Sequence, residues 1–316
     1  MINRLIINLL AGVVLVAPSA MQPQSIRVAD SLLRSGSLAR AESMYYAAAS
    51  ARPHDPIARW ALGRYLNARG AARVGATLFE ESLRFGGEPS IVGRDLVPVY
   101  LTIGAFGRLA VLASATPAER ARARWLVAHQ PHTIAPESVV IVVFHPSTDS
   151  AILGRIPLRI NGRKLDAVVT ARVQGIVISD SATARRLHTF GARRRGSRAT
   201  MLAVADSVEI AKLTMINYPV TIVRPNDEQP TFIGLDVLGK LAPTFDAKGQ
   251  HLMLRASGVV PASFVGAHVA TWMSDSDLRI MQGGRWLSIT RPNMAALLRE
   301  HRWTLDAKRG QLIFEP

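Results

Sequence analysis

Three glycines, Gly36, Gly70 and Gly104, recur every 34 residues near the start of the chain. A fixed period of this length restricts the fold strongly. Each unit must repeat one supersecondary element and bury its apolar face against the next. Other positions keep the register: Ala41 with Gly75, Tyr45 with Phe79, and Ala48 with Ser82. Small residues at this spacing let two helices approach closely, while the aromatic fills the next layer. Pro53 closes the first unit and Pro56 opens the second, as proline does at helix boundaries. The expectation is a run of helical hairpins over 24–130, with Trp60, Tyr65 and Phe79 packed between them.

The unit 56–89 carries Trp60, Leu62, Gly63, Tyr65, Gly70, Gly75 and Phe79. In this set it resembles the tetratricopeptide repeat. It departs from that pattern at Trp60, one residue late relative to Leu62-Gly63, and at Tyr65, one residue early. The third unit keeps Gly104 but has Leu109 at the small position and Pro98 inside its first helix. It reads as a degenerate cap.

Ahead of the repeats, Arg4 precedes an apolar run from Leu5 to Ala17, and Ser19 and Ala20 follow. This is the order of a secretory signal over 1–20. The run falls short of the ~20 residues of a helical span. Pro18 sits where a small residue is preferred, so an uncleaved anchor is the alternative. Export sets the reading of the charge, +15 from 38 Lys and Arg against 23 Asp and Glu. An exported basic protein meets anionic envelope surfaces or acidic ligands rather than a genome. No interleaved aromatic set supports nucleic-acid binding. With no cysteine, disulfides, thiolate zinc sites and cysteine nucleophiles are excluded.

Residues 131–138 read as a solvated linker containing Pro131 and Pro136. His129 and His132 are three apart, but Pro131 lies between them and no acidic pair completes a metal site. No metal or cofactor is expected. From Val139 the pattern becomes β-like. Alternating apolar residues flank Asn161-Gly162, a strong hairpin signal. A helix over Ser181–Leu187, with Asp180 as its cap, and strands over Ala203–Ile210 and Met215–Val223 lead to Phe232-Ile-Gly-Leu-Asp-Val-Leu238. Thr244-Phe-Asp-Ala-Lys248 and His251–Leu254 complete the run.

That order over 153–255 resembles the retropepsin-like aspartic protease lobe. The resemblance implies one such lobe over 139–256. It also implies that the family's catalytic Asp-Thr-Gly falls on Thr170-Ala171-Arg172. Threonine is not appreciably ionised near neutral pH and cannot serve in a pair of carboxyls sharing one proton. No Asp-Thr-Gly or Asp-Ser-Gly occurs elsewhere. Asp236 reads as a turn residue.

Thr244-Phe-Asp-Ala-Lys248 recurs as Thr304-Leu-Asp-Ala-Lys308, with Leu252 and Leu254 matched by Leu312 and Phe314. The tail 257–316 therefore reads as a partial, degenerate second lobe. It is expected to hold strands at 269–273, 278–281 and 285–290 and a helix near 292–301. Asp275-Ser276-Asp277 is its acidic loop. Arg193, Arg194, Arg195 and Arg198 fall where the family's lobe has a mobile flap. They read as a solvated loop or, more sharply, as an anion-binding edge.

The expected fold class is α+β multidomain, with helical repeats followed by an all-β protease-like lobe and part of a second. The expected function is an exported, non-catalytic protein that binds a peptide or protein. An active aspartic peptidase using carboxylates not yet placed, and an envelope scaffold, are the alternatives. The oligomeric state is not legible.

Overall fold

The computed structural model describes residues 24–150, 152–195, 198–223, 230–274 and 277–316. The expected signal segment 1–20 and Asp275-Ser276 lie outside the described residues.

The first region is helical: α1 Gln24–Arg34, α2 Leu38–Ala51, α3 Pro56–Ala68, α4 Ala72–Arg84, α5 Pro89–Ile103, α6 Phe106–Val111 and α7 Pro117–Ala128. Helices adjacent in sequence pack on one another. The three in-register glycines sit in the turns after α1, α3 and α5, all with left-handed φ (+83°, +90° and +74°). Only glycine adopts that conformation without strain, so the sequence period is a turn period. Caps fix the starts. The Asp55 carboxylate accepts from the Ile57 and Ala58 amides with Pro56 at the first helical position. Thr116 and Glu119 form a reciprocal capping box on α7.

Phe79 is fully buried and Tyr65 is 2% exposed, as packing residues should be. Gly63 faces the Phe79 ring at the distance of a close contact, which is what the small residue there allows. Trp60 differs: it is only half-buried. Its indole N–H donates to Asp95 and its face carries Arg64, so it lies on an open surface rather than between layers. Pro98 is accommodated inside a 15-residue α5, while α6 shrinks to six residues. No described helix is long and apolar enough to cross a membrane.

The β region begins inside the expected linker. Strand β1, His132–Ile134, pairs antiparallel with β9. Its side chains are all exposed, so the apolar pattern gave no sign of it; the backbone alone completes the edge of the sheet. There follow β2 Val139–Val143, β3 His145–Pro146, β4 Gly154–Ile160, β5 Arg163–Thr170, β6 Ile176–Ile178, α8 Ser181–Ala184, β7 His188–Arg195, β8 Arg198–Ile210, β9 Leu213–Ile222, β10 Thr231–Gly234 and α9 Leu235–Leu238. Asn161 and Gly162, both at positive φ, turn β4 into β5.

The order β9-β6-β10-β5-β4-β8 closes on itself through β8–β9 pairing, giving a six-stranded barrel. Closure removes the free edges. Ile156, Leu158, Ile160, Val169, Ile176, Val208 and Ile233 fill it. The basic segment read as a loop is instead the β7–β8 hairpin.

The rest is β11 Thr244–Asp246, β12 His251–Arg255, β13 Ala267–Ser274, β14 Asp277–Gln282, β15 Arg285–Ser288, α10 Pro292–Glu300, β16 Trp303–Asp306 and β17 Gln311–Phe314. They form one sheet with β2, in the order β15-β14-β13-β17-β16-β11-β12-β2. The repeated pentapeptides lie at its centre. Thr244 pairs with Thr304, their hydroxyls 2.5 Å apart, and Phe245 stacks on Trp303 at 4.2 Å. Antiparallel pairing of equivalent residues means a local two-fold axis relates hairpins β11–β12 and β16–β17. Equivalent turn positions Gln250 and Gly310 share φ of 56° and 58°. The boundary expected at 256 is thus crossed by a continuous sheet and a continuous core. The tail holds three strands, a helix and a hairpin segment rather than a barrel of its own.

Candidate binding groove and the Thr170 loop

Thr170 ends β5, which runs parallel to β10 with Thr170 opposite Gly234. Thr170 is 2% exposed, and its hydroxyl accepts from the Arg172 amide at 3.1 Å. Ala171 is buried and Arg172 is exposed. The carboxylate that the described residues bring to this loop is Asp236. Both its oxygens accept from the Gly175 amide, at 2.9 and 3.0 Å. The Gly234 amide returns a bond to the Gly175 carbonyl at 2.8 Å. A Cβ on Gly234 would collide with the Asp236 carboxylate and the Val173 carbonyl, so the approach requires glycine. Burial raises the Asp236 pKa against the opposing pull of the Gly175 amide and Lys240. Asp236 therefore anchors the loop and is more than a turn residue. Its signal in the sequence was its place directly after the Ile-Gly turn.

The second half repeats this local geometry. Ser288 ends β15, accepts from the Thr290 amide at 3.2 Å, and donates to Asp277 at 2.6 Å. Asp180 caps α8 through the Thr183 amide at 2.6 Å and pairs with Arg163, as its sequence position implied.

The arginines divide. Arg193 forms an ion pair with Glu119 of α7 at 3.4 Å. Arg122, 3% exposed, donates to the Val220 carbonyl at 3.2 Å. Burial, with Arg193 adding, pushes the Arg122 guanidinium down to about 10, and Glu119 opposes this. Trp125 of α7 packs against His188 and Phe190 of β7. The base of the hairpin is therefore fastened to the helices, which takes Arg193 out of a free anion-binding edge. Arg194 pairs with Ala199 and Arg195 with Arg198 at the hairpin tip; these three arginine side chains lie outside what is described. His129 stacks on Trp125 and His132 meets the Gln130 carbonyl, so the two histidines do not converge.

A concavity of ligand size lies elsewhere. A cavity of about 600 Å³ opens on the helical region, lined by α1 to α5 and by Trp272 of β13. Tyr45, Trp60, Tyr65 and Trp272 form its aromatic wall. The Tyr45 and Tyr65 rings are 5.1 Å apart, and Tyr65 and Trp272 are 6.0 Å apart. Each helical aromatic ends on a carboxylate. Tyr45 donates to Asp30 at 2.5 Å, Tyr65 to Glu42 at 3.1 Å and Trp60 to Asp95 at 2.8 Å. Burial, then the Glu42 charge, raises the Tyr65 phenol to about 12; burial and Asp30 raise Tyr45 as well. The Arg64 guanidinium sits 4.9 Å over the Trp60 ring.

Trp272 is held in place by contacts the sequence could not reveal. Trp286 lies 6.2 Å from it and donates to the Leu33 carbonyl at 2.8 Å. Arg69 donates to the carbonyls of Thr271 at 2.6 Å and Gly310 at 2.8 Å. A second cavity, between Phe144, Phe245, Leu298 and Trp303, holds only about 20 Å³, room for one water. Neither cavity is lined by Thr170, Ala171 or Arg172.

No family profile and no curated protein matches this sequence. Among solved structures, the chain is similar to the crystal structure of a retropepsin-like aspartic protease from Rickettsia conorii. The identity is 14%, over 40% of this chain and 93% of that one, with a TM-score of 0.28. The α+β layout and the six-stranded barrel follow from the strand pairing of this chain itself.

Proposed function

We propose that this chain is a non-catalytic binding protein whose helical groove, closed on one side by Trp272, holds an extended segment of a peptide or protein. The observation that carries this reading is the 600 Å³ aromatic-walled cavity built jointly by the helices and the β region. A cavity of that size suits several side chains of a ligand. In this reading the helices are tetratricopeptide-like and the barrel is a retropepsin-like lobe that serves as scaffold. Thr170, where the resemblance puts a catalytic aspartate, supports the absence of a carboxyl pair.

The Leu5–Ala17 run supports export, with a mature terminus near Met21. The decisive experiment incubates the full chain with an immobilised array of random, end-blocked octapeptides and, in parallel, with denatured casein from pH 3 to 7. The reading expects saturable octapeptide binding that Trp272→Ala weakens, and no pepstatin-sensitive cleavage. Robust cleavage, or no octapeptide binding, would overturn it.

A further inference from the structure

Charge is distributed unevenly in this protein. The chain as a whole is +15, yet the groove gathers carboxylates. Asp30 and Glu88 line it, and Glu42 and Asp95 terminate the hydrogen bonds of its aromatic wall. Arg64 is the one cation among the described lining residues. A local excess of carboxylates on a molecule of net positive charge draws cations to that place.

The aromatic wall adds direction to that field. Because the Tyr45 and Tyr65 hydroxyls and the Trp60 N–H already donate to carboxylates, they are not offered to a ligand. What those side chains present to the cavity is their ring faces. A ring face carries negative quadrupole density, and a phenol donating to a carboxylate is polarised further in that direction. Arg64 shows the chemistry already in use, seated 4.9 Å over Trp60 and 3.9 Å from Asp95. Tyr45 and Tyr65 repeat the pairing of ring and carboxylate, and Trp272 adds a neighbouring ring 6.0 Å from Tyr65.

From this arrangement we infer that the groove selects a basic side chain, arginine or lysine, of its peptide ligand, seated against Tyr45, Tyr65 and Trp272 beside Asp30. The inference rests on the peptide-binding reading above and specifies its ligand class.

The same octapeptide array separates the two claims, run in 300 mM salt to suppress the general attraction of a basic protein for acidic peptides. Arginine and lysine are expected to be enriched over aspartate and glutamate among bound octapeptides. A bound octapeptide resynthesised with its basic residue changed to leucine should then bind about 5- to 30-fold more weakly, the range of a desolvated cation–π contact. Asp30→Asn should reduce the ratio between the affinities of the basic and the leucine octapeptide. Trp272→Ala, which removes a ring of the proposed seat, should weaken both octapeptides and also narrow the ratio between them. Binding without basic preference, or with acidic preference, would overturn the charge selection and leave the peptide-binding reading standing. Absence of any Trp272-dependent binding would overturn both.

Discussion

Docking of the helices on the second β unit decides whether the groove exists, and one pair of substitutions isolates it. Gly70 and Gly86 both follow helices and both have left-handed φ, +90° and +88°. Alanine at either pays the same backbone cost of about 1–2 kcal/mol, partly offset by the lower entropy of the unfolded chain. These terms cancel in the comparison. The surroundings differ. A Cβ on Gly86 meets nothing within 4 Å, whereas one on Gly70 runs into the carbonyl oxygen of Ala307 and the backbone of Lys308. Backbone on both sides would have to separate, and Arg69, the next residue, would lose its grip on the Thr271 and Gly310 carbonyls. A hydrogen bond from a charged group contributes about 1.5–3 kcal/mol. Gly70→Ala is therefore expected to be at least about 2 kcal/mol less stable than Gly86→Ala. For a chain of 316 residues that is roughly 3 °C in Tm. Differential scanning calorimetry of both variants and the parent measures it, and tryptophan fluorescence reports exposure of Trp272 and Trp286. Equal melting temperatures for the two variants would refute the docking and, with it, the composite groove.

Phe79→Ala removes a fully buried ring packed against Gly63 and should cost about 3–5 kcal/mol; an unchanged Tm would break the repeat register. Asp236→Asn tests the loop anchor through pH. A carboxyl whose folded pKa is raised adds stability below its unfolded pKa and loses it as pH rises through the folded value. The variant should therefore gain on the parent as pH rises from 3 to 7 in urea titrations, and a constant difference would contradict the raised pKa. Terminal sequencing of the protein recovered from an export-competent host should begin near Met21; an intact Met1 form in the cytosol would count against export.

What the chain says directly concerns turns and repeats. The 34-residue glycine period placed the turns after α1, α3 and α5, because left-handed φ has a residue requirement visible in one letter. Asn161-Gly162 announced a hairpin for the same reason. The doubled pentapeptide gave two matching hairpins, each after a helix. Pairing between those hairpins was not legible. That Thr244 meets Thr304 across a local two-fold axis, making one sheet of segments 60 residues apart, depends on long-range burial that no local pattern encodes. β7, the start of β8 and β1 were missed because their residues are basic, polar or exposed, whereas the apolar part of β8 from Ala203 was legible. The groove was decided wholly in three dimensions. Trp60 looked like core and Trp272 like an ordinary strand residue, and only the docking of helices on hairpins sets them in the walls of one cavity. Sequence fixes a residue's chemistry and its local geometry, whereas a shared site needs distances between elements, and those are set by packing.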